Sequence, residues 1–79
     1  MKITAKVSRG PQKGTTLSPH RHPDGMYVVS PSKREADYIR VADLAEVAAC
    51  VRRGLGVRMS APSVDGPRWI TAQSIRFED

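Results

Sequence analysis

The stretch Asp43-Leu44-Ala45-Glu46-Val47-Ala48-Ala49-Cys50-Val51-Arg52-Arg53-Gly54-Leu55-Gly56 decides the fold. Asp43 and Glu46 stand at capping-box spacing, where the first carboxylate accepts from the third helical amide and the second reaches back. Leu44, Val47, Ala48, Val51 and Leu55 then recur at helical spacing on one face. Arg52 and Arg53 fall where the negative end of a helix dipole favours cations, and Gly54 is a natural left-handed stop with Leu55 placed to fold back. The spacing predicts a helix from Leu44 to about Arg53. At about 100° per residue from Leu44, the apolar stripe runs from about 300° to about 60°, with Cys50 near 240°. Cys50 is therefore expected on the rim of the helix, as a passive thiol open to reagents.

Outward from the helix, short alternating runs read as strands. Lys2 to Val7 sets Ile3, Ala5 and Val7 against Lys2, Thr4 and Lys6. Met26-Tyr27-Val28-Val29 is more apolar and reads as central, and Tyr38-Ile39-Arg40-Val41 follows a polar turn. Val57-Arg58-Met59-Ser60 comes after the helix, and Trp69-Ile70 with Ser74 to Phe77 makes the last strand, open to a break at Thr71-Ala72-Gln73. The expectation is an α+β domain spanning 1–79, a mainly antiparallel sheet of four to five strands with one helix on one face, in the order β-β-β-α-β-β. Residues 8–25 are longer than an ordinary connection and poor in apolar side chains, so they read as a long, mobile basic loop in which Thr15 to Leu17 could add a short strand.

Length and composition bound the function. Seventy-nine residues fit one small domain, and Leu, Ile, Val and Phe together number only sixteen. Such a chain hides about 60% of its unfolded surface, so dimerisation or a partner's surface would add burial that its thin core lacks. The single cysteine excludes an intrachain disulfide and suits a reducing compartment. Met1 to Lys6 lacks a signal-peptide apolar core, and no run reaches the ~18 apolar residues of a membrane span. A soluble cytoplasmic protein with no membrane contact is expected. The net charge is +5, and it is uneven: residues 1–34 hold seven bases and one acid, whereas 35–79 hold six bases and seven acids. An anionic partner follows from that excess, beside the simpler role of keeping a small domain in solution.

Catalytic and metal chemistry find little footing. His20-Arg21-His22 with Asp24 offers zinc-type donors, but Pro19 and Pro23 bracket it as a turn and no cysteine is near. Gly54-Leu55-Gly56 follows a helix and precedes a strand, the wrong order for a phosphate loop. There is no Gly-x-Ser-x-Gly, both histidines share one turn, and the acids are scattered singly. No enzyme, cofactor or metal is expected.

The strongest constellation is spread over the strands. If Ile39, Val41, Val57, Met59, Ile75 and Phe77 face the helix, then Arg40, Arg58 and Arg76 face away, together with Lys2, Lys6 and Tyr38. Five cations and one aromatic would share the open face, with no acid at an outward position until Glu78. Sequence-specific reading of RNA wants more stacking residues than Tyr38 alone; phosphate backbone or an acidic protein surface fits better.

Arg40-Val41-Ala42-Asp43-Leu44, Gly56-Val57-Arg58-Met59-Ser60 and Ser74-Ile75-Arg76 resemble segments of small prophage-borne proteins, and in size and layout the chain is similar to phage anti-CRISPR proteins, those directed at type I systems included. The resemblance implies a compact, non-enzymatic αβ inhibitor in the host bacterial cytoplasm. Its partner would be a CRISPR–Cas surveillance complex, blocked by contact and steric occlusion. Many such inhibitors are acidic and imitate DNA, a mode that +5 excludes here. The basic face would instead meet an acidic patch of the complex, or hold double-stranded DNA against it. The alternative is a small nucleic-acid-binding accessory or regulatory protein that contacts phosphate.

Overall fold

A computed structural model describes residues 1–78. The chain runs β1 (Lys2–Lys6), β2 (Thr16–Pro19), β3 (Tyr27–Ser30), β4 (Ile39–Val41), α1 (Leu44–Arg52), β5 (Gly56–Ser60), β6 (Arg68–Ile70) and β7 (Arg76–Glu78), with 3₁₀ turns at Glu35–Asp37 and Ala72–Ser74. The α+β class agrees with the sequence; the sheet has seven antiparallel strands rather than four to five. Two features account for the extra strands. The stretch 8–25 carries β2, and the last expected strand splits at Thr71 into β6, which pairs with β5, and β7, which pairs with β1.

The helix forms as its local chemistry dictates. Asp43 caps it by accepting from the Glu46 amide at 2.9 Å, and the Glu46 carboxylate accepts from the amides of Ala42 and Asp43. At the other end the Leu55 amide donates to the Cys50 carbonyl and the Gly54 amide to that of Val51. Gly54, at φ +96°, supplies the left-handed residue that this Schellman geometry requires. Only the rotation of the helix departs from expectation. Its buried residues are Val47, Ala48, Cys50 and Val51, a face centred roughly 40° away from Leu44 towards Cys50. Cys50 is 6% exposed and part of the core, whereas Leu44 is 37% exposed. The expected open thiol is thus a buried one, because the helix docks on β3 and β5 with its Cys50 flank turned inward.

The sheet order is β4-β3-β5-β2-β1-β7, with β6 also on β5. Val57 pairs with Val29 of β3 and with Ile70 of β6, and Met59 pairs with Pro19 of β2 and with Arg68 of β6. A strand has only two edges, so β2 and β3 share one edge of β5 and β6 takes the other. The register jumps by eight residues between Pro19↔Met59 and Val29↔Val57, and a bridge between Arg21 and Tyr27 closes the gap. Thus β2 and β3 behave as one strand with a hairpin excursion, 21–27, pushed out of it. Upstream, the Gly14 amide donates to the Val7 carbonyl and the Val7 amide to that of Thr15, so 8–14 is the turn of a β1–β2 hairpin.

Only Thr71–Ile75, largely a 3₁₀ turn, joins β6 at one end of the five-strand series β6-β5-β2-β1-β7 to β7 at the other. From Ile70 to Arg76, three 3₁₀ steps and three extended ones reach about 16 Å, against roughly 19 Å across four flat strand spacings. The sheet must therefore curl towards a barrel, and Lys6 to Arg9 of the first hairpin line one cavity together with Arg68–Ile70. Ile3, Ala5, Leu17, Val29, Val57 and Met59 fill the inside, closed by the helix, Val64 and Ile75. Ile39 and Phe77, on the outermost strands, stay 46% and 37% exposed; the Arg52 guanidinium at the end of the helix lies 4.8 Å from the centre of the Phe77 ring.

Candidate functional site

Register places the expected cations on the outer wall. Arg40 pairs with Val28, Arg58 with Trp69, Arg76 with Thr4, Lys2 with Glu78 and Lys6 with Thr16, all on the side opposite Ile3, Leu17 and Met59. Curvature divides them. Lys2, Lys6 and Arg76 lie on the β1–β7 wing, where Lys6, Arg76 and Glu78 edge a broad, shallow depression with Gln73 and Ser74. Tyr38, Arg40 and Arg58 lie on the β4–β3–β5 wing, so the six residues do not form one stripe.

The second group is built more tightly. The guanidinium of Arg58 donates to the Tyr38 hydroxyl at 3.1 Å and stands 5.8 Å from that ring. Its cross-strand neighbour Trp69 packs its ring over Gly56, where any Cβ would collide with the indole and with the Ile70 carbonyl. Arg58 is half-buried against Tyr38, and its Nε is buried with no hydrogen-bond partner among the described residues. Val28 faces the same side and is nonetheless buried, so the side chains around it lie across the wall.

The excursion 21–27 brings the histidines to this spot. The His20 amide donates to the Arg58 carbonyl, and His20 Nδ1 lies 2.9 Å from Ser60 Oγ, a pairing forty residues apart that the sequence did not reveal. His22 meets His20 edge to face at 4.8 Å. The excursion is tied down: the His22 amide donates to the Met26 carbonyl, the Gly25 amide to the His22 carbonyl, and the Met26 amide to the Asp24 carboxylate. The other Asp24 oxygen pairs with Arg40 at 2.6 Å, an acid beside the basic face that strand alternation had not placed there. His22 Nε2 is the second buried nitrogen without a partner among the described residues. Burial holds the His22 imidazole below its ordinary value, the charges of His20, Arg40 and Arg58 push the same way, and Asp24 opposes them.

Chemically, this is a cationic, aromatic surface with spare N–H donors. Its parts suit an oxyanion and the face of a planar ring. Ser60 and His20 form a hydroxyl–imidazole pair, but His20 leans on a second imidazole where a relay would place a carboxylate. Among the described residues no three His, Cys, Asp or Glu side chains gather as a metal-binding group, and no helix is long and apolar enough to cross a membrane. No protein-family model matches the chain, and neither the curated proteins nor the solved structures yield a match. The resemblance to anti-CRISPR proteins is neither strengthened nor weakened by that result.

Proposed function

We propose that this is a non-enzymatic domain that binds a single strand of nucleic acid on its outer wall, with phosphates on Arg40 and Arg58 and a base against Tyr38 or Trp69. The observation that carries the reading is the half-buried Arg58 held by Tyr38, with Trp69 opposite it on the neighbouring strand and two histidines beside it. Sequence alone favoured an acidic protein partner because stacking aromatics were scarce. Register supplies one in Trp69, directly opposite Arg58. Stacking on such a side chain contributes about 1–3 kcal/mol per base and tolerates any sequence, while arginine adds phosphate and cation–π contacts. The inhibitor reading, in which the same wall meets an acidic patch of a CRISPR–Cas complex, specifies a different partner for the same residues.

Fluorescence anisotropy with an oligothymidine and with a random duplex, over a salt series, tests the proposal. The expected result is tighter binding of the single strand, with affinity falling by about 0.7 log units per log unit of salt for each phosphate contacted. Absence of binding at physiological salt, alongside inhibition of a reconstituted surveillance complex, would move the assignment to the protein partner.

A further inference from the structure

The geometry points to a discrete oxyanion pocket at His22, Arg40 and Arg58, one that takes a tetrahedral phosphate or sulfate group. It deepens the nucleic-acid reading and rests on it for its natural ligand, because it says which part of the wall seats a phosphate.

Four observations converge. First, two buried nitrogens on this one cluster, Arg58 Nε and His22 Nε2, lack partners among the described residues. Buried polar groups are nearly always satisfied; Arg58 Nε is an obligate donor and His22 Nε2 donates whenever it carries a proton, so an acceptor beside them would satisfy both. Second, the surrounding charge has one sign. His22 faces His20 of β2's extension, Arg40 of β4 and Arg58 of β5, with Asp24 as the one opposing carboxylate. Third, that carboxylate is already engaged: one oxygen takes the Met26 amide and the other takes Arg40 Nη1. Asp24 therefore holds the excursion and orients Arg40, leaving that guanidinium other N–H groups to donate. Fourth, the donors are fixed before any ligand arrives. Tyr38 holds Nη1 of Arg58, the bonded turn at Gly25 and Met26 holds His22, and Ser60 holds His20. Preorganised donors lose little freedom on binding, the condition under which a small anion is held at a surface.

Protonation enters as a consequence. In the free protein, burial and the cations around it hold the His22 imidazole below its ordinary value, with Asp24 opposing them. An oxyanion reverses that balance, so binding takes up a proton and strengthens as the solution is acidified.

Sulfate is the probe, because its charge is constant between about pH 5 and 8, with chloride holding ionic strength level. Imidazole resonances of His20 and His22 are followed by NMR during titration, in the native chain, His22→Gln, Arg58→Lys and Lys6→Gln. The expected result is saturable binding that shifts both imidazoles and is tighter near pH 5.5 than near pH 7.5. His22→Gln should remove the pH dependence, Arg58→Lys should weaken binding about tenfold, and Lys6→Gln on the other wing should leave it unchanged. Shifts that never saturate, or that are equal in all four proteins, would overturn the pocket. His22→Gln lies on the excursion, outside the strands and the helix, so it remains informative if Arg58→Lys folds poorly. Failure here with oligonucleotide binding intact would sink the pocket and spare the nucleic-acid reading. Saturable sulfate binding that an oligothymidine does not displace would keep the pocket, assign it to a free oxyanion, and count against that reading.

Discussion

Two wings of one curled sheet carry the same kind of residue in different surroundings. On the β1–β7 wing, Lys2, Lys6 and Arg76 project from exposed positions, and Lys2 stands directly opposite Glu78. On the β4–β3–β5 wing, Arg58 is half-buried, bonded to Tyr38, flanked by Trp69 and joined by two imidazoles. Strand alternation treats the two sets alike. Exposed cations give long-range attraction that salt screens, whereas a guanidinium fixed on an aromatic hydroxyl gives a contact of defined shape. The difference teaches that outward parity locates a charge, and that neighbours brought by topology decide whether it becomes a site.

The comparison can be broken in several ways. The largest contrast is expected from charge reversal. Arg58→Glu should cost at least about tenfold in oligonucleotide affinity, since it removes a donor and places a carboxylate among acceptors. Arg76→Glu should cost only about two- to threefold, with stability within ~0.5 kcal/mol of the native chain by chemical denaturation. Next, Trp69→Ala should lose about 1–3 kcal/mol of binding, read by anisotropy, if a base stacks there. A smaller effect concerns acid stability. The unfolded chain carries a His22 with the ordinary value of 6.5, and the folded chain holds it lower, so the unfolded state gains the proton first as pH falls. Stability should therefore drop with acid through and below that value, and His22→Gln should flatten the drop in denaturant midpoints followed by circular dichroism. Sulfate should flatten it as well. Asp43→Ala, which removes the helix cap and none of the groups at the Arg58 cluster, should cost about 0.5–2 kcal/mol of stability and leave binding untouched. That variant separates loss of fold from loss of site.

Much of this was legible because it is local. The capping box, the Gly54 stop and the Leu55 return depend on residues within one turn of each other, and they stand where the spacing put them. The outward parity of Lys2, Lys6, Arg40, Arg58 and Arg76 also follows from alternation within single strands. What could not be read is non-local. Alternation allowed no more than a short strand at Thr15 to Leu17; it forms, as Thr16–Pro19, because β1 and β5 provide partners on both edges. Asp24 with Arg40, sixteen residues apart, and Ser60 with His20, forty apart, meet only after the sheet is assembled. Cys50 shows the same limit on a helix. Periodicity fixes which residues share a face, but docking turns that face by roughly 40°, enough to bury a flank. A thiol reagent added to the native protein should accordingly react slowly until denaturant is present, and rapid native labelling would contradict the observed packing.

Oligothymidine affinity for Arg58→Glu and Arg76→Glu, measured side by side over the same salt series, separates a binding site on the Arg58 wing from background charge on the Arg76 wing. A loss of about tenfold or more is expected for Arg58→Glu that persists at high salt, against a small loss for Arg76→Glu that fades as salt screens it. Equal losses that fade together in both variants would contradict that separation, and would make the surface a diffuse field of charge rather than a site.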